Sequence, residues 1–548
     1  MIKRLLLVGM SGSGKSTVGE PVAERLGWRF VDMDDLIEQQ EGRTIPQIFE
    51  QDGEPAFRTM EADLLEALLE ETGVVVSTGG GATCSDVAQR AIAASRGTLS
   101  VWLHASAEEL WQRVHGHEDD TRTTQRPMLV SDDPLQKMKS LIETRTRFYG
   151  AADVTIPVGN RDPGRTVDDL AEIVNLANGV ATNVSLDIGK VQSLISVGPG
   201  IADTLPEVIN QRWPKAQAVW IGVDANVAAA QQEWLSQLEN RLEVPVHIHP
   251  IAAGEASKGL GTYSDLLDWM LEGGIQRGDV AVAFGGGVVG DLMGFAAATV
   301  LRGVGLIQLP TTLLAMVDSS VGGKTAINHS TGKNLIGAFY QPPVVLVDPR
   351  FLETVPDREL RSGFAEVIKH GVIQASTPGG EGGFLTEVLR LNTEGLLSLR
   401  EPLTSWVLRQ NVSLKASVVA EDEREADLRQ ILNFGHTIGH GIEAAGYKML
   451  HGEAIAIGMV AASQIAAKRG DIDPAWVEAL TELVQAYSLP VATTASRAEI
   501  LDKMRSDKKK SGGKQNWVLP VENGGVVITS DVDQEMIDAA IDTVIGPA

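Results

Sequence analysis

The chain has 548 residues, 43% hydrophobic and 22% charged, the balance of a globular protein too long for one core, so two to four domains are expected. A net charge of −25 argues against non-specific binding to nucleic acid or an anionic membrane, yet leaves room for a locally basic site that takes a small phosphorylated substrate. The single cysteine, Cys84, excludes an intrachain disulfide and suits a reducing cytoplasm, and no uncharged apolar run reaches the ~20 residues of a membrane span.

In chain order, the apolar run 5–8 predicts a strand rather than a signal peptide, because it runs straight into the loop Gly9-Met-Ser-Gly-Ser-Gly14-Lys15-Ser16-Thr17. A helix is expected over 16–26. Further buried strands are expected at 74–76, 99–103 and 153–157, alternating with helices at 60–70, 107–114 and 167–177. This is a small α/β domain with a parallel sheet, residues 1–177. The short polar stretch that follows predicts a linker, residues 178–188. A second α/β pattern has strands at 219–223, 244–248, 280–284, 305–309 and 344–347, a Rossmann-like subdomain over 189–350. Strand signals then thin out. Helices are expected at 359–375, 382–398, 402–420, 428–446, 452–468 and 474–488, so residues 351–548 form a mostly helical subdomain.

Gly9-x4-Gly14-Lys15-Ser16 fits the P-loop pattern, in the strand-to-helix context that supports it. Backbone N–H groups of Gly12, Ser13 and Gly14 wrap phosphates, Lys15 neutralises them, and Ser16, beside Thr17, offers a hydroxyl to Mg²⁺. Downstream, Phe284 ends a strand and Gly285-x-Gly287-x2-Gly290 opens a helix, a dinucleotide-type turn that is weak evidence alone; Asp224, at an earlier strand end, is placed to bind a ribose hydroxyl. His436 and His440 are four apart, which on a helix is one face and the spacing of a ligand pair. His451 with Glu453, and Glu366 with His370, add candidate ligands, whereas His104, His247 and His249 read as packing residues. Lys324, Lys333, Lys369, Lys415 and Arg429 supply cations for an anionic substrate carrying phosphate and carboxylate.

The ordered set Asp32-x-Asp34, Gly53-Glu54-x2-Phe57-Arg58-x2-Glu61, Gly79-Gly80-Gly81, Arg126-Pro127 and Arg145-x3-Tyr149 resembles shikimate kinase over residues 1–177. The resemblance implies a P-loop kinase that uses ATP and Mg²⁺ to phosphorylate the shikimate 3-hydroxyl. It implies that Asp34 takes hydrogen bonds from shikimate and acts as base, that Arg58 and Arg145 clamp the carboxylate, and that Gly80 lets the backbone approach. It also implies that Asp32 helps hold Mg²⁺ through water, that Arg161 lies on the adenine side, and that Arg126 or Arg122 is the lid arginine reaching the transferred phosphate. The family lid commonly has an Asn shortly before its Arg-Pro pair, and this chain has none there.

From about residue 190 onward, Gly-Gly-Gly-Val-Val-Gly-Asp291, Arg302-Gly, Pro310-Thr311-Thr312, Asp318 to Lys324, Gly332-Lys333-Asn334, Glu366-Val-Ile-Lys369-His370, Asn433-Phe-Gly-His436 and His451-Gly-Glu453 resemble 3-dehydroquinate synthase. That family uses Zn²⁺ or Co²⁺ and tightly held NAD to convert 3-deoxy-arabino-heptulosonate 7-phosphate into 3-dehydroquinate and phosphate. The resemblance implies metal on Glu366, His436 and His451, with His440 turned to substrate instead. It implies NAD on Asp224, Asn226, Glu255, Lys258, Gly286, Gly287, Val288, Asp291, Thr311, Thr312, Asp318 and Lys333. Substrate falls to Arg302, Lys324, Asn334, Lys369, Lys415, Arg429, Asn433, His440 and one of Lys508, Lys509 and Lys510, and the synthase part is expected to pair as a homodimer. Two other readings compete: a metal-dependent polyol dehydrogenase for the second half, and a nucleotide-sensing P-loop domain for the first.

Overall fold

The strand Arg4–Val8 (β1) is buried along its whole length, as expected for the middle of a parallel sheet covered on both faces. In this computed structural model, which describes residues 1–115, 133–189, 191–446, 449–510, 515–522 and 524–546 (side chains of 115 and 506–510 excepted), β1 lies between neighbours on both sides. With Arg29–Asp32 (β2), Val74–Ser77 (β3), Thr98–His104 (β4) and Val154–Pro157 (β5) it forms a sheet in the order β2-β3-β1-β4-β5, every pair parallel. The phosphate loop follows β1, Asp32 ends β2, and Thr78 with Gly79 follow β3. The catalytic candidates therefore gather at the carboxyl ends of three adjacent strands, where open α/β sheets bind ligands.

The chain divides into two compact units: Met1–Val180 with Glu394–Trp406, and Ala181–Thr393 with Val407–Ala548. Within the first, Trp406 Nε1 donates to Asp169 at 3.1 Å, which shows why a segment so late in sequence groups with it. The second unit contains a seven-stranded sheet in the order β6-β7-β14-β11-β10-β8-β9. Its strands are Thr182–Ile188 (β6), Val191–Val197 (β7), Val219–Asp224 (β8), Val246–Ile251 (β9), Val280–Gly285 (β10), Gly305–Pro310 (β11) and Val344–Val347 (β14). A hairpin of Lys324–His329 (β12) and Gly332–Phe339 (β13), and another of Trp517–Val521 (β15) and Gly525–Thr529 (β16), complete the strands. Helices Asp357–Ile373, Leu403–Glu421, His436–Ala445 and His451–Arg469 carry the later candidate residues. No described helix is long and apolar enough to cross a membrane.

Several expectations need correcting. Residues 182–188 of the expected linker are β6, antiparallel to β7; Val184, Leu186 and Ile188 alternate with polar residues, the period of an edge strand rather than of a linker. The strand expected at 244–248 begins two residues later, at Val246. The helix expected over 428–446 is broken: Leu428–Asn433 is a 3₁₀ helix, and a new helix starts at His436. Gly435 makes the break, with φ 78° and no room for a side chain, since a Cβ there would meet Met459 Cγ at 2.6 Å. The helix expected over 382–398 likewise divides at Asn392. The late hairpin β15–β16 interrupts a region expected to be helical.

Candidate active sites

In the first unit, Gly12 and Gly14 both take φ 87°, and Gly14 caps the helix Lys15–Leu26. Lys15 is buried, and its Nζ donates to the carbonyls of Gly9 (2.9 Å) and Met10 (3.0 Å), so the cation is fixed inside the loop. Ser16 Oγ donates to Asp32 at 2.5 Å, and the Asp32 carboxylate also accepts from the Asp34 N–H at 3.0 Å. Burial, with the charges of Asp32 and Glu61 nearby, pushes the Asp34 carboxyl up to about 6. Arg58 pairs with Glu61, which is almost fully buried, and with Glu54 at 3.0 Å. Arg145 donates to the Gly80 carbonyl at 2.8 Å, and Tyr149 donates to the same oxygen. The triple glycine is needed for this closeness. A Cβ on Gly79 would lie 2.3 Å from Glu61 Oε1, and one on Gly81 would lie 2.1 Å from Arg58 Nη1.

Lys15, Ser16, Asp32, Asp34, Arg58, Glu61, Gly80 and Arg145 line one cavity of about 930 Å³ that also reaches Ser13, Thr17 and Arg161. Arg161 pairs with Asp169 at 2.6 Å. Arg113, whose guanidinium donates to the carbonyls of Val158 and Gly159, lines the same cavity and was not singled out from sequence. In sequence Glu61 stands out only as part of its motif; its position three after Arg58 on one helix is the signal of the pair. Arg122 and Arg126 fall outside the described residues.

In the second unit the carboxyl ends of β8, β10 and β11 deliver Asp224, Gly286 and Thr311. Asp224 caps the helix Ala225–Ala230, accepting from the Asn226 N–H at 2.8 Å. A Cβ on Gly286 would press on Thr312 at 3.2 Å, and one on Gly287 would meet Ser319 Oγ at 3.1 Å, so glycine lets the start of the helix Gly287–Thr299, beside Val288, pack closely against the segment 312–319. Lys258 ties Asp291 (2.5 Å) to Asn334 (2.6 Å), and Glu255 accepts from Asn328 at 2.7 Å.

A cavity of about 500 Å³ is lined by Asp291, Asp318, Lys324, Asn334, Lys369, Lys415, Arg429, Asn433 and His436. Its cations arrive from β12 and from separate helices. Each is held by a protein group: Lys415 by Asp318, Lys369 by Glu366, and Lys324 by Glu425. Arg429 donates to backbone carbonyls and keeps its Nε without a partner. Burial, with Arg429 close, lowers Lys415 to about 8 against the pull of Asp318. Lys415 and Lys369 hold Asp318 below the usual carboxylate range despite its burial.

Beside this cavity Glu366, His436 and His451 offer ligand atoms within 4.8 Å of one another. His436 Nδ1 faces the Phe434 carbonyl at 3.0 Å and His451 Nδ1 faces Glu443 at 2.9 Å, so each Nδ1 carries a proton and each Nε2 turns toward Glu366. Glu366 and Glu443 hold His451 up to about 9 despite its burial, so a cation bound there displaces its Nε2 proton. Those Nε2 atoms lie 3.7 and 3.5 Å from Glu366 Oε1, a buried oxygen with no hydrogen-bond partner. Two imidazole Nε2 atoms and an orphan carboxylate oxygen are the donor set of a zinc-type cation.

The remaining candidates lie elsewhere. His440 is exposed, with its ring 5.2 Å from that of His436, and belongs to a second grouping with Glu443 and His451. Glu453 is drawn off to Arg358 at 2.6 Å. His370 turns Nδ1 to Asn411 at 3.0 Å, an interaction between helices that sequence did not indicate. Arg302 is exposed at φ 70°, past the far end of the helix Gly287–Thr299, and does not line the cavity of this chain. Lys333 pairs with Glu443 at 2.6 Å. The side chains of Lys508, Lys509 and Lys510 lie outside the description. His104, His247 and His249 pack against Trp102, Trp220 and Trp269, as expected of packing residues.

Two classes of enzyme are thus joined in one chain: a P-loop kinase, and an α/β-plus-helical enzyme with a cation-lined site for an anionic substrate. The family model described as shikimate kinase matches residues 11–175, and those for the 3-dehydroquinate synthase N-terminal and C-terminal parts match 248–362 and 363–510. A 3-dehydroquinate synthase of Symbiobacterium thermophilum is 40% identical over 356 residues, 64% of this chain and 98% of that protein; one from Nostoc punctiforme is 47% identical over 52% of this chain and 78% of its own length. Among solved structures, a 2-epi-5-epi-valiolone synthase of Streptomyces hygroscopicus with NAD⁺ and Zn²⁺ bound aligns at TM-score 0.58 and 28% identity, over 65% of this chain and 98% of that one. The chain belongs to the 3-dehydroquinate synthase family and carries a shikimate kinase unit ahead of it.

Proposed function

We propose that the two activities of this chain, ATP-dependent phosphorylation of shikimate and formation of 3-dehydroquinate from 3-deoxy-arabino-heptulosonate 7-phosphate, are carried by the two cavities described above. The observation that supports the second most strongly is the convergence of two Nε2 atoms and one orphan carboxylate oxygen beside a pocket rich in buried cations.

In the kinase, backbone N–H groups of the loop and Lys15 hold the ATP phosphates, and Ser16 with Asp32 holds Mg²⁺. Arg58 and Arg145 flank the glycine triplet and receive the shikimate carboxylate. Asp34, at about 6, is ionised at neutral pH and takes the proton of the attacking hydroxyl.

In the synthase, Glu366, His436 and His451 hold Zn²⁺ or Co²⁺, and the glycine turn with Asp224, Lys258, Thr311 and Thr312 holds NAD. Together these supply a Lewis acid for a ring alcohol and a reversible hydride acceptor. Lys324, Lys369, Lys415, Arg429 and Asn433 bind the phosphate and carboxylate of the substrate, releasing Asp318, Glu366 and Glu425 from their present ion pairs. Lys415, buried in the cavity, and His440, exposed beside the metal grouping, move protons. This reading includes a homodimer through the second unit and a cytoplasmic location; the single cysteine supports the latter.

Phosphate release from 3-deoxy-arabino-heptulosonate 7-phosphate without net NADH accumulation, and ADP formation that requires shikimate, test the two assignments on one preparation. Steady NADH accumulation from a polyol would make the second unit a dehydrogenase, and ATP binding without shikimate-dependent turnover would make the first a sensor.

A further inference from the structure

We infer that Glu443 is a positioning residue for the metal: it fixes the tautomer and aim of His451 while its other oxygen holds Lys333 of β13. The inference rests on the reading that Glu366, His436 and His451 are the ligands. Glu443 lies on the helix His436–Ala445, seven residues after His436 and so on the same face, and its side chain is only 16% exposed. Oε2 lies 2.9 Å from His451 Nδ1, and Oε1 lies 2.6 Å from Lys333 Nζ. A carboxylate can only accept at Nδ1, so the imidazole must carry its proton there. That leaves Nε2, the ligand atom once a cation displaces any proton there, on the side of Glu366, 3.5 Å away.

The two histidines differ in how they are held. His436 is aimed by a backbone carbonyl, that of Phe434, which no side-chain replacement removes. His451 is a third exposed, and the partner of its Nδ1 is a side chain. Carboxylate–histidine–metal arrangements also raise the basicity of the ligand nitrogen, which a carbonyl does less well. One of the three ligands thus depends on a residue that touches neither metal nor substrate. The competing reading is that Glu443 is itself a ligand, because His440, Glu443 and His451 also offer atoms within 4.8 Å.

The test is Zn²⁺ affinity of the full-length chain, measured by competition with a chromophoric chelator, together with ions bound per chain. Glu443→Leu should bind one Zn²⁺ roughly 10–100-fold more weakly than the parent. Glu443→Gln keeps an acceptor for the Nδ1 proton but loses the charge, so its loss should be smaller, roughly 3–10-fold on the same scale; it carries the test if the leucine variant fails to fold. Lys333→Ala should leave Zn²⁺ affinity within about threefold, showing that the effect belongs to the carboxylate and not to docking of the β12–β13 hairpin. Unchanged affinity in both Glu443 variants overturns the inference. So does a parent that binds two ions and a leucine variant that binds one, which would make Glu443 a ligand. His436→Ala separates the two levels: if it keeps stoichiometric Zn²⁺, the ligand reading itself fails, whatever Glu443 does.

Discussion

The two sites are built in opposite ways. In the kinase unit the phosphate-binding elements are contiguous in sequence and largely main chain: one loop between β1 and its helix, with glycines at positive φ and a lysine bonded to the carbonyls of that same loop. In the synthase unit the site is assembled from side chains that arrive from several separate helices and a hairpin. Most of its lysines are paired with residues about a hundred positions away, as Lys324 with Glu425 and Lys333 with Glu443, although Lys369 pairs with Glu366 on its own helix. A contiguous backbone site tolerates substitution around it but fails when its one central cation is lost. A site of cross-linked ion pairs propagates the loss of any member to a partner left buried and uncompensated.

The sharpest way to break this comparison is Lys15→Ala. It should abolish shikimate phosphorylation, since it removes the only lysine bonded within the loop, and leave dehydroquinate formation nearly unchanged. A folded variant that loses both activities together would contradict the separation of the sites. Next in size is the ligand pair. His436→Ala should lose bound metal, while His440→Ala should keep metal and NAD and lose turnover. Elemental analysis of each purified variant decides it, and the reverse pattern would move the metal to the more exposed grouping with Glu443.

A smaller effect is expected from Arg58→Ala. The shikimate KM should rise far more than the ATP KM, by about 2–5 kcal/mol if the carboxylate is left unpaired in a desolvated site. Because Glu61 is buried against Arg58, thermal stability should fall too, and Glu61→Gln in the same background should restore part of it. Equal changes in the two KM values would remove the clamp. The mildest test is the pH profile of the kinase. Asp34 must be ionised to take a proton, and burial raises it to about 6, so kcat/KM should be flat above that value and fall about tenfold per pH unit below it. A profile that keeps falling only below pH 4 would show that Asp34 is not the base.

What could be read beforehand follows the same division. Gly9 to Thr17 announced a phosphate loop because its function resides in backbone geometry that a short string encodes. The α/β character of both units was legible from apolar runs, and the two families from ordered motifs. The metal grouping was legible only in part. His436 and His440 at helical spacing suggest a pair, yet the helix begins at His436 itself, after a break at Gly435, and the atoms that converge belong to Glu366, His436 and His451. Glu425, Glu443 and Asn411 were silent, because an acidic or amide residue on a polar helix face reads as solvated until its partner is known. β6 reads as a linker in sequence because an edge strand with one wet face is nearly as polar as a loop.

The central claim, that one chain runs two chemistries on separate sites of which only the second needs a tightly held transition metal, is tested most directly by chelation. The full-length protein is stripped with a zinc-selective chelator in excess Mg²⁺, and both activities are assayed on the same sample. Dehydroquinate formation should disappear and return with Zn²⁺ or Co²⁺, while shikimate phosphorylation stays at its starting rate. Synthase activity that survives in demonstrably metal-free protein, or a kinase that falls in step with it, would contradict the account.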